Sequence, residues 1–247
     1  MIRIIHTALA LVAMALVFIF MSLVGLIGYG LLRLFGASAA ADRHLRRSGR
    51  TLSRGLIVAM GGRVHLEGVE KIPTHTGSIC VISNHQSLFD VPLLVGYVPI
   101  WAGFVAKEEL KRAPLLRQWM RAMGCVFIKR GSARSSIKMI LDGVEKLKQG
   151  SPLVVFPEGT RNPSNKVRPF KAGSLKLATR AKAIILPITI KNTHMLWAKD
   201  HRVARQDIYI TIHDPIDTAA LSSEEEKQLT RRVEQVIGGD ESGLSGQ

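Results

Sequence analysis

The chain has 247 residues, 47% of them hydrophobic, and 34 Lys and Arg against 19 Asp and Glu give it a formal net charge of +15. That length is enough for a sizeable core in one domain with additions or in two small ones, and the charge favours an anionic partner such as lipid headgroups. Aromatics are only 6% and do not interleave with the basic runs; with no ribonucleoprotein, zinc-finger or basic-zipper pattern, nucleic acid is disfavoured as a partner.

The apolar excess is concentrated at the N-terminus. Thr7 to Leu32 carries no formal charge, and as a helix it would be about 39 Å long against a hydrocarbon core of roughly 30 Å. It is too long for the apolar region of a cleavable signal peptide. Arg3 and Arg33 flank it on both sides, so charge does not orient it. It either spans the bilayer or dips into one leaflet and returns, with Gly25, Gly28 and Gly30 marking a bend. Arginines 33, 43, 46, 47, 50, 54 and 63 follow, with Asp42 the one acid among them. Leu45, Leu52, Leu56 and Ala59 fall at helical spacing with arginines on other faces. The pattern predicts a basic amphipathic helix at a membrane surface, favoured over a solvated linker helix because the apolar segment adjoins it.

Beyond residue 62 the periodicity changes. Val64–Gly68 alternates like an edge strand, and Ser78–Ile82 is an apolar run typical of a buried strand. Helices are predicted over Leu88–Val98, Leu115–Met123, Ser132–Gln149, Gly173–Lys182 and Ser222–Ile237, with Ile137, Ile140, Leu141, Val144 and Leu147 forming the apolar stripe of the third. Strands are predicted over Ile100–Ala106, Cys125–Ile128, Leu153–Phe156, Ile184–Ile190 and Asp207–His213. Cys80 and Cys125 both lie in apolar runs without disulfide or metal-ligand spacing, so they read as reduced core residues of a cytoplasmic-side domain. The alternation predicts an α/β domain with a mixed sheet flanked by helices over residues 63–240, carried by a helical membrane anchor over 1–62.

Two loops carry the chemistry. In Asn84-His85-Gln86-Ser87-Leu88-Phe89-Asp90, the histidine leaves a buried strand and the carboxylate stands just over one turn further on. Ser87 and Asp90 have the spacing of a capping box, which predicts a helix opening at Ser87. An Asp–His pair would hold the imidazole in one tautomer and stabilise it once protonated; the alternative is that Asp90 only caps the helix and His85 is a polar loop residue. The second loop, Phe156-Pro157-Glu158-Gly159-Thr160-Arg161, also ends an apolar strand. In open α/β sheets such strand ends gather ligands. Gly159 allows close backbone approach, Arg161 offers a planar fork for phosphate, and Lys171 reaches toward the same anion. The other reading is a surface turn in which Glu158 and Arg161 form a salt bridge.

Taken together, these loops resemble those of the glycerolipid acyltransferases with an H-x4-D block, especially the bacterial 1-acyl-sn-glycerol-3-phosphate acyltransferases. The resemblance covers roughly residues 60 to 215. The family's first block matches His85 and Asp90, its second Gly124 to Arg130, its third Phe156 to Arg161, and its fourth Ile185 to Ile190. Ala106-Lys107-Glu108-Glu109-Leu110 and Phe170-Lys171-Ala172-Gly173 look like its accompanying stretches. A serine often follows the third block's arginine; here the residue is Asn162.

The resemblance implies transfer of a fatty acyl group from acyl-CoA or acyl-carrier protein to the free hydroxyl of lysophosphatidic acid, giving phosphatidic acid. It implies His85 as base, Asp90 as its orienting partner, and Arg161 on the acceptor phosphate with Lys107, Arg130 or Lys171. Glu158, Gly159 and Thr160 would shape that pocket, and no cofactor or metal is required. The implied setting is a bacterial-type inner membrane with anionic lipid, the catalytic domain on the cytoplasmic side. Three alternatives are weaker. Another lysolipid acceptor, such as a lyso-ornithine lipid, would use the same motifs. A covalent acyl-enzyme would need an activated nucleophile, and no G-x-S-x-G elbow exists. A non-catalytic membrane-binding protein leaves both loops unexplained.

Overall fold

The structure, a computed structural model, describes residues 2–74, 78–129, 131–171, 173–197 and 205–239. Two helices, α1 (Ile2–Leu34) and α2 (Ser38–Ala59), precede a mixed eight-stranded sheet. The strands are β1 (Gly62–Glu67), β2 (Ile79–Ser83), β3 (Gly103–Lys107), β4 (Val126–Ile128), β5 (Leu153–Val155), β6 (Ile184–Lys191), β7 (Gln206–Ile212) and β8 (Ile216–Asp217). The helices between and after them are α3 (Asp90–Tyr97), α4 (Pro114–Ala122), α5 (Ala133–Lys148), α6 (Lys176–Ala181) and α7 (Ser223–Gly238).

The sheet runs β1-β7-β6-β2-β5-β3-β4, with β8 also pairing β6. β2 is central and parallel to both neighbours, Ile82 lying opposite Val155 of β5 and Pro187 of β6. β3 continues the parallel half beside β5. The C-terminal ends of β2, β5, β6 and β3 therefore open on the same side of the sheet. β2 is buried along its whole length, as a parallel strand covered on both faces must be. Ile79 and Val81 enter one core with α2 and α3, whereas Cys80 and Ile82 enter the other with α5, α6 and α7. This division follows from the two-residue period of a strand. Pro187 is tolerated within β6 because β8 pairs Ile184 and Ile185 while β7 pairs from Ile188 onward, so proline falls where the ladder changes partners. Both cysteines are free, and burial pushes the Cys80 thiol up to about 12.

The N-terminal helices differ from expectation in detail. The described α1 is unbroken through Gly25, Gly28 and Gly30. Gly28 admits α2 rather than bending α1: a Cβ there would stand 2.5 Å from His44 Nε2. Small residues let helices approach this closely. On α2 the innermost positions are Ala41, Leu45, Gly49 and Ile57; Leu52 and Leu56 are half-buried and Ala59 is exposed. Gly55–Met60 is almost uniformly apolar, so spacing alone did not single out Ile57 and Met60, which join the core beneath α3. Arg54 is also used internally, its Nε donating to the Gly96 carbonyl at 2.6 Å. Outward, α1 leaves Leu16, Val17, Phe20 and Ile27 exposed. Its Ala15–Leu34 stretch has a mean hydropathy of 2.4 and is long and apolar enough to cross a membrane.

Three further elements depart from prediction. The helix expected from Leu88 starts at Asp90, since the loop before it is held by side-chain bonds of its own. α6 starts at Lys176 because Gly173, at φ +79°, lies in a left-handed turn. On α5, Leu147 is fully buried but Ile137 and Leu141 face solvent, so the stripe is covered only toward its C-terminal half. The α7 start agrees with the expected Ser222 to within one residue, and the structure adds a reciprocal capping box between Ser222 and Glu225.

Gly68 fixes the exit of the edge strand. It sits at φ +79°, and an added Cβ would stand 2.1 Å from the Ile212 carbonyl oxygen. Gly68→Ala is expected to cost about 3 kcal/mol or more from the left-handed conformation plus the clash. Gly150→Ala, at φ +74° but in open space, should cost about 1 kcal/mol. Urea unfolding of both variants measures the difference.

Candidate active site

At the exit of β2, the Asn84 side chain replaces one more residue of the ladder. Its Nδ2 donates to the Ile190 carbonyl and its Oδ1 accepts from the Ile190 N–H, both at 2.8 Å. The main chain is thereby released, and His85 turns onto the rim. Its ring stacks on Phe156 with centroids 4.2 Å apart and planes 15° from parallel. His85 Nδ1 lies 2.7 Å from Asp90 Oδ2. With that nitrogen donating its proton to the carboxylate, Nε2 carries the lone pair.

Asp90 has no solvent exposure. Oδ2 also accepts from the backbone N–H of Gln86 at 2.6 Å and of Ser87 at 2.9 Å. Oδ1 accepts from the Thr193 hydroxyl. Four donors converge on one buried carboxylate and replace the water it has lost. The Ser87 N–H on Oδ2 is one half of the expected capping box, but Ser87 Oγ accepts from the Phe89 N–H at 3.0 Å, so the reciprocal half is not made.

The second loop meets the first through Glu158, which is buried at the end of β5. Its Oε1 accepts from the His85 N–H at 2.9 Å and its Oε2 from the Arg168 N–H at 3.2 Å. Burial pushes the Glu158 carboxyl up, and these two N–H groups pull it part of the way back. The salt bridge considered between Glu158 and Arg161 is not formed among the described residues; Glu158 is a strut between backbones, and Arg161 is exposed. Asn162 adds a second tie, its N–H donating to the His85 carbonyl at 2.7 Å. Gly159, at φ +67°, leaves room for Lys171, whose Nζ would lie 2.6 Å from a Cβ placed there.

Of the predicted residues, His85, Asp90 and Glu158 are joined by hydrogen bonds, and Gly159 and Lys171 are in contact. Thr160 and Arg161 are exposed on the same loop, and Lys107 is exposed at the end of β3, on the same side of the sheet. Arg130 lies outside the described residues. Sequence reasoning missed Gln86, Thr193 and Asn165. Gln86 is buried, and its Nε2 donates to the Ser164 carbonyl and to Asn165 Oδ1, both at 2.9 Å. It sits inside the quoted motif, which was the available signal. Thr193 follows β6 with no motif of its own.

The acyltransferase family profile matches residues 63–191, more than half of the chain and all of the site above except Thr193. The chain belongs to the acyltransferase family. Among its relatives, the 1-acyl-sn-glycerol-3-phosphate acyltransferase of Borreliella burgdorferi is 30% identical over 178 residues, 72% of this chain and 71% of that one. The enzyme of the same name from Cocos nucifera is 30% identical over 190 residues, and the match spans 76% of this chain but 60% of the longer plant protein. The crystal structure of the 1-acyl-sn-glycerophosphate acyltransferase PlsC from Thermotoga maritima superposes with a TM-score of 0.74 at 32% identity, covering 96% of each chain. The mixed sheet flanked by helices is therefore an architecture that this acyltransferase shares with that structure.

Glu158→Gln tests the strut. Glutamine, like the protonated carboxyl, offers one acceptor oxygen and one donor toward the two backbone N–H groups, so the variant is expected within about 1 kcal/mol of wild type at acid pH. Because burial raises the folded-state value, the wild-type carboxyl contributes most below the ordinary glutamate range and loses that contribution as pH rises through the raised value. In denaturant titrations wild type should lose stability relative to the non-titrating Glu158→Gln from pH 4 to pH 7; a gain relative to the variant would contradict the raised value.

Proposed function

We propose that this acyltransferase moves a fatty acyl group from an acyl thioester to the sn-2 hydroxyl of 1-acyl-glycerol-3-phosphate, giving phosphatidic acid. The observation that carries the reading is the buried Asp90 pairing with His85 at 2.7 Å beside the Glu158 loop. A thioester is already activated, so the main requirement is a base for the acceptor hydroxyl. His85 Nε2 takes that proton as the oxygen attacks the thioester carbonyl, and Asp90 stabilises the imidazolium. The carbon–sulfur bond breaks, and the leaving thiolate recovers the proton from His85. The donor, acyl-CoA or acyl-carrier protein, is a substrate, and every proton in this cycle returns without a cofactor.

In the same reading Arg161 holds the acceptor phosphate. Lys171 lies over the neighbouring Gly159, and Lys107 stands at the adjacent strand end. Arg130 belongs to the same basic set by sequence. Glu158, Gly159 and Thr160 give the loop its shape. Residues 1–62 serve as the membrane anchor and 63–240 as the catalytic domain, with Ile57 and Met60 of α2 reaching into the catalytic core. The apolar face of α1 and the arginines of α2 suit an inner membrane with anionic lipid, and the reduced cysteines suit a cytoplasmic catalytic side.

Purified protein, acyl-CoA and lysophosphatidic acid, with products read by mass spectrometry, test the activity; phosphatidic acid is expected. The phosphate assignment is tested by comparing acceptors. Arg161→Ala removes a charge-assisted contact worth about 1.5–3 kcal/mol, roughly 10- to 150-fold in kcat/KM for lysophosphatidic acid. The loss should be far smaller on monoacylglycerol, which has no phosphate, and Arg161→Lys should recover only part because it lacks the planar fork. Equal losses on both acceptors would assign Arg161 to loop structure instead.

A further inference from the structure

Thr193 is fully buried, opens the short 3-10 turn Thr193–Trp197 after β6, and stands 103 positions from Asp90 in sequence. A hydroxyl with no access to water needs a partner inside the protein. Two acceptors are in reach: Asp90 Oδ1 and, at 3.1 Å, Gln86 Oε1. The hydroxyl has one proton, and a carboxylate is the stronger acceptor. Gln86 Oε1 is served independently by the Thr193 backbone N–H at 3.1 Å, and His194 Nδ1 lies 3.3 Å from it.

The two oxygens of Asp90 are supported unequally. Oδ2 has three donors, whereas the Thr193 hydroxyl is the one donor to Oδ1 among the described residues. The last torsion of an aspartate side chain is broad and two-fold, so the residue does not lock its own carboxylate plane. A contact on the far oxygen does. We infer that Thr193 is a positioning residue for the reaction: its hydroxyl donates to Asp90 Oδ1 and holds the carboxylate plane so that Oδ2 stays on His85 Nδ1. Gln86 carries the same constraint to the phosphate loop, since it bonds Thr193 on one side and Ser164 and Asn165 on the other. The exit of β6 therefore sets the aim of a base carried on β2.

The inference rests on the acyl-transfer reading, and it predicts which kinetic constant moves. Thr193 touches the base's partner and not the basic residues around Gly159, so its loss should act on kcat and leave KM for lysophosphatidic acid nearly unchanged. Thr193→Val keeps the branched shape without the hydroxyl, and Thr193→Ser keeps the hydroxyl. Both are made in the wild-type and Asp90→Asn backgrounds, and rates are normalised to the folded fraction by circular dichroism. Thr193→Val should lower kcat roughly 10- to 100-fold, the worth of a hydrogen bond to a charged group. Thr193→Ser should recover most of the rate, and Thr193→Val should cost nothing further once Asp90 is asparagine.

Wild-type kcat in Thr193→Val, a Thr193→Ser as slow as Thr193→Val, or a full additional loss in the Asp90→Asn background would each overturn the inference. Should Thr193→Val not fold, Thr193→Ala takes its place in the same cycle. No acyl transfer by the wild-type chain would contradict the proposed function and remove the Thr193 assignment with it. Transfer by wild type with an indifferent Thr193 would remove the assignment alone.

Discussion

A carboxylate taken out of water costs several kcal/mol unless donors replace the solvent, and the Asp90 carboxylate is completely enclosed. Meeting that demand organises the C-terminal rim of the sheet. Two backbone N–H groups point at Oδ2 only if the His85–Asp90 segment curls back on itself, which delays α3 until Asp90. Oδ1 is met from β6, which must therefore end beside β2, as the parallel register of those strands provides. The same curl presents the His85 N–H to Glu158 and its ring to Phe156. One buried charge thus links three strand ends, and the histidine is oriented as a consequence.

This arrangement divides the site into a rigid half and an accessible half. Asp90, Glu158, Gln86 and Asn162 are buried and bonded, while Arg161, Lys171 and Lys107 are exposed. The division suits chemistry in which a base must be aimed closely but an acceptor arriving from a bilayer needs only to be attracted and then clamped. The N-terminal helices fit the same logic. The outward face of α1 is apolar enough to lie in lipid, whereas Arg54 and Ile57 fasten α2 to the sheet side of the molecule. The helix nearest the catalytic core is thus continuous with the segment suited to the membrane.

Much of this was legible in the sequence because it is local. β2 and β5 are short apolar runs ended by polar motifs, and the spacing of His85 and Asp90 is fixed within one loop. The helix expected from Ser222 starts within one residue of that position, with Ser222 as its N-cap. The start of α3 differs from expectation because Ser87 and Asp90 have capping-box spacing, but only the carboxylate half forms and Ser87 Oγ turns to the Phe89 N–H. Ile137 and Leu141 have the periodicity of a core stripe, yet among the described residues no element covers them. Thr193 could not be found by pattern: its contact with Asp90 spans 103 positions and depends on which strands become neighbours. Glu158 falls in the correct motif as a pocket-shaping residue, with an ion pair to Arg161 as the alternative, but sequence does not show that two backbone N–H groups occupy its carboxylate.

The central claim is that His85, aimed by the buried Asp90, is the base for acyl transfer. The most direct measurement is the steady-state kcat of purified His85→Ala on lysophosphatidic acid and acyl-CoA, beside a circular dichroism melt. The account predicts a fall of roughly 10²- to 10⁴-fold per folded molecule, the usual worth of a general base, with a lowered melting temperature as well, because the variant also takes one donor from the enclosed Asp90 carboxylate. Near-normal turnover by a folded His85→Ala would contradict it.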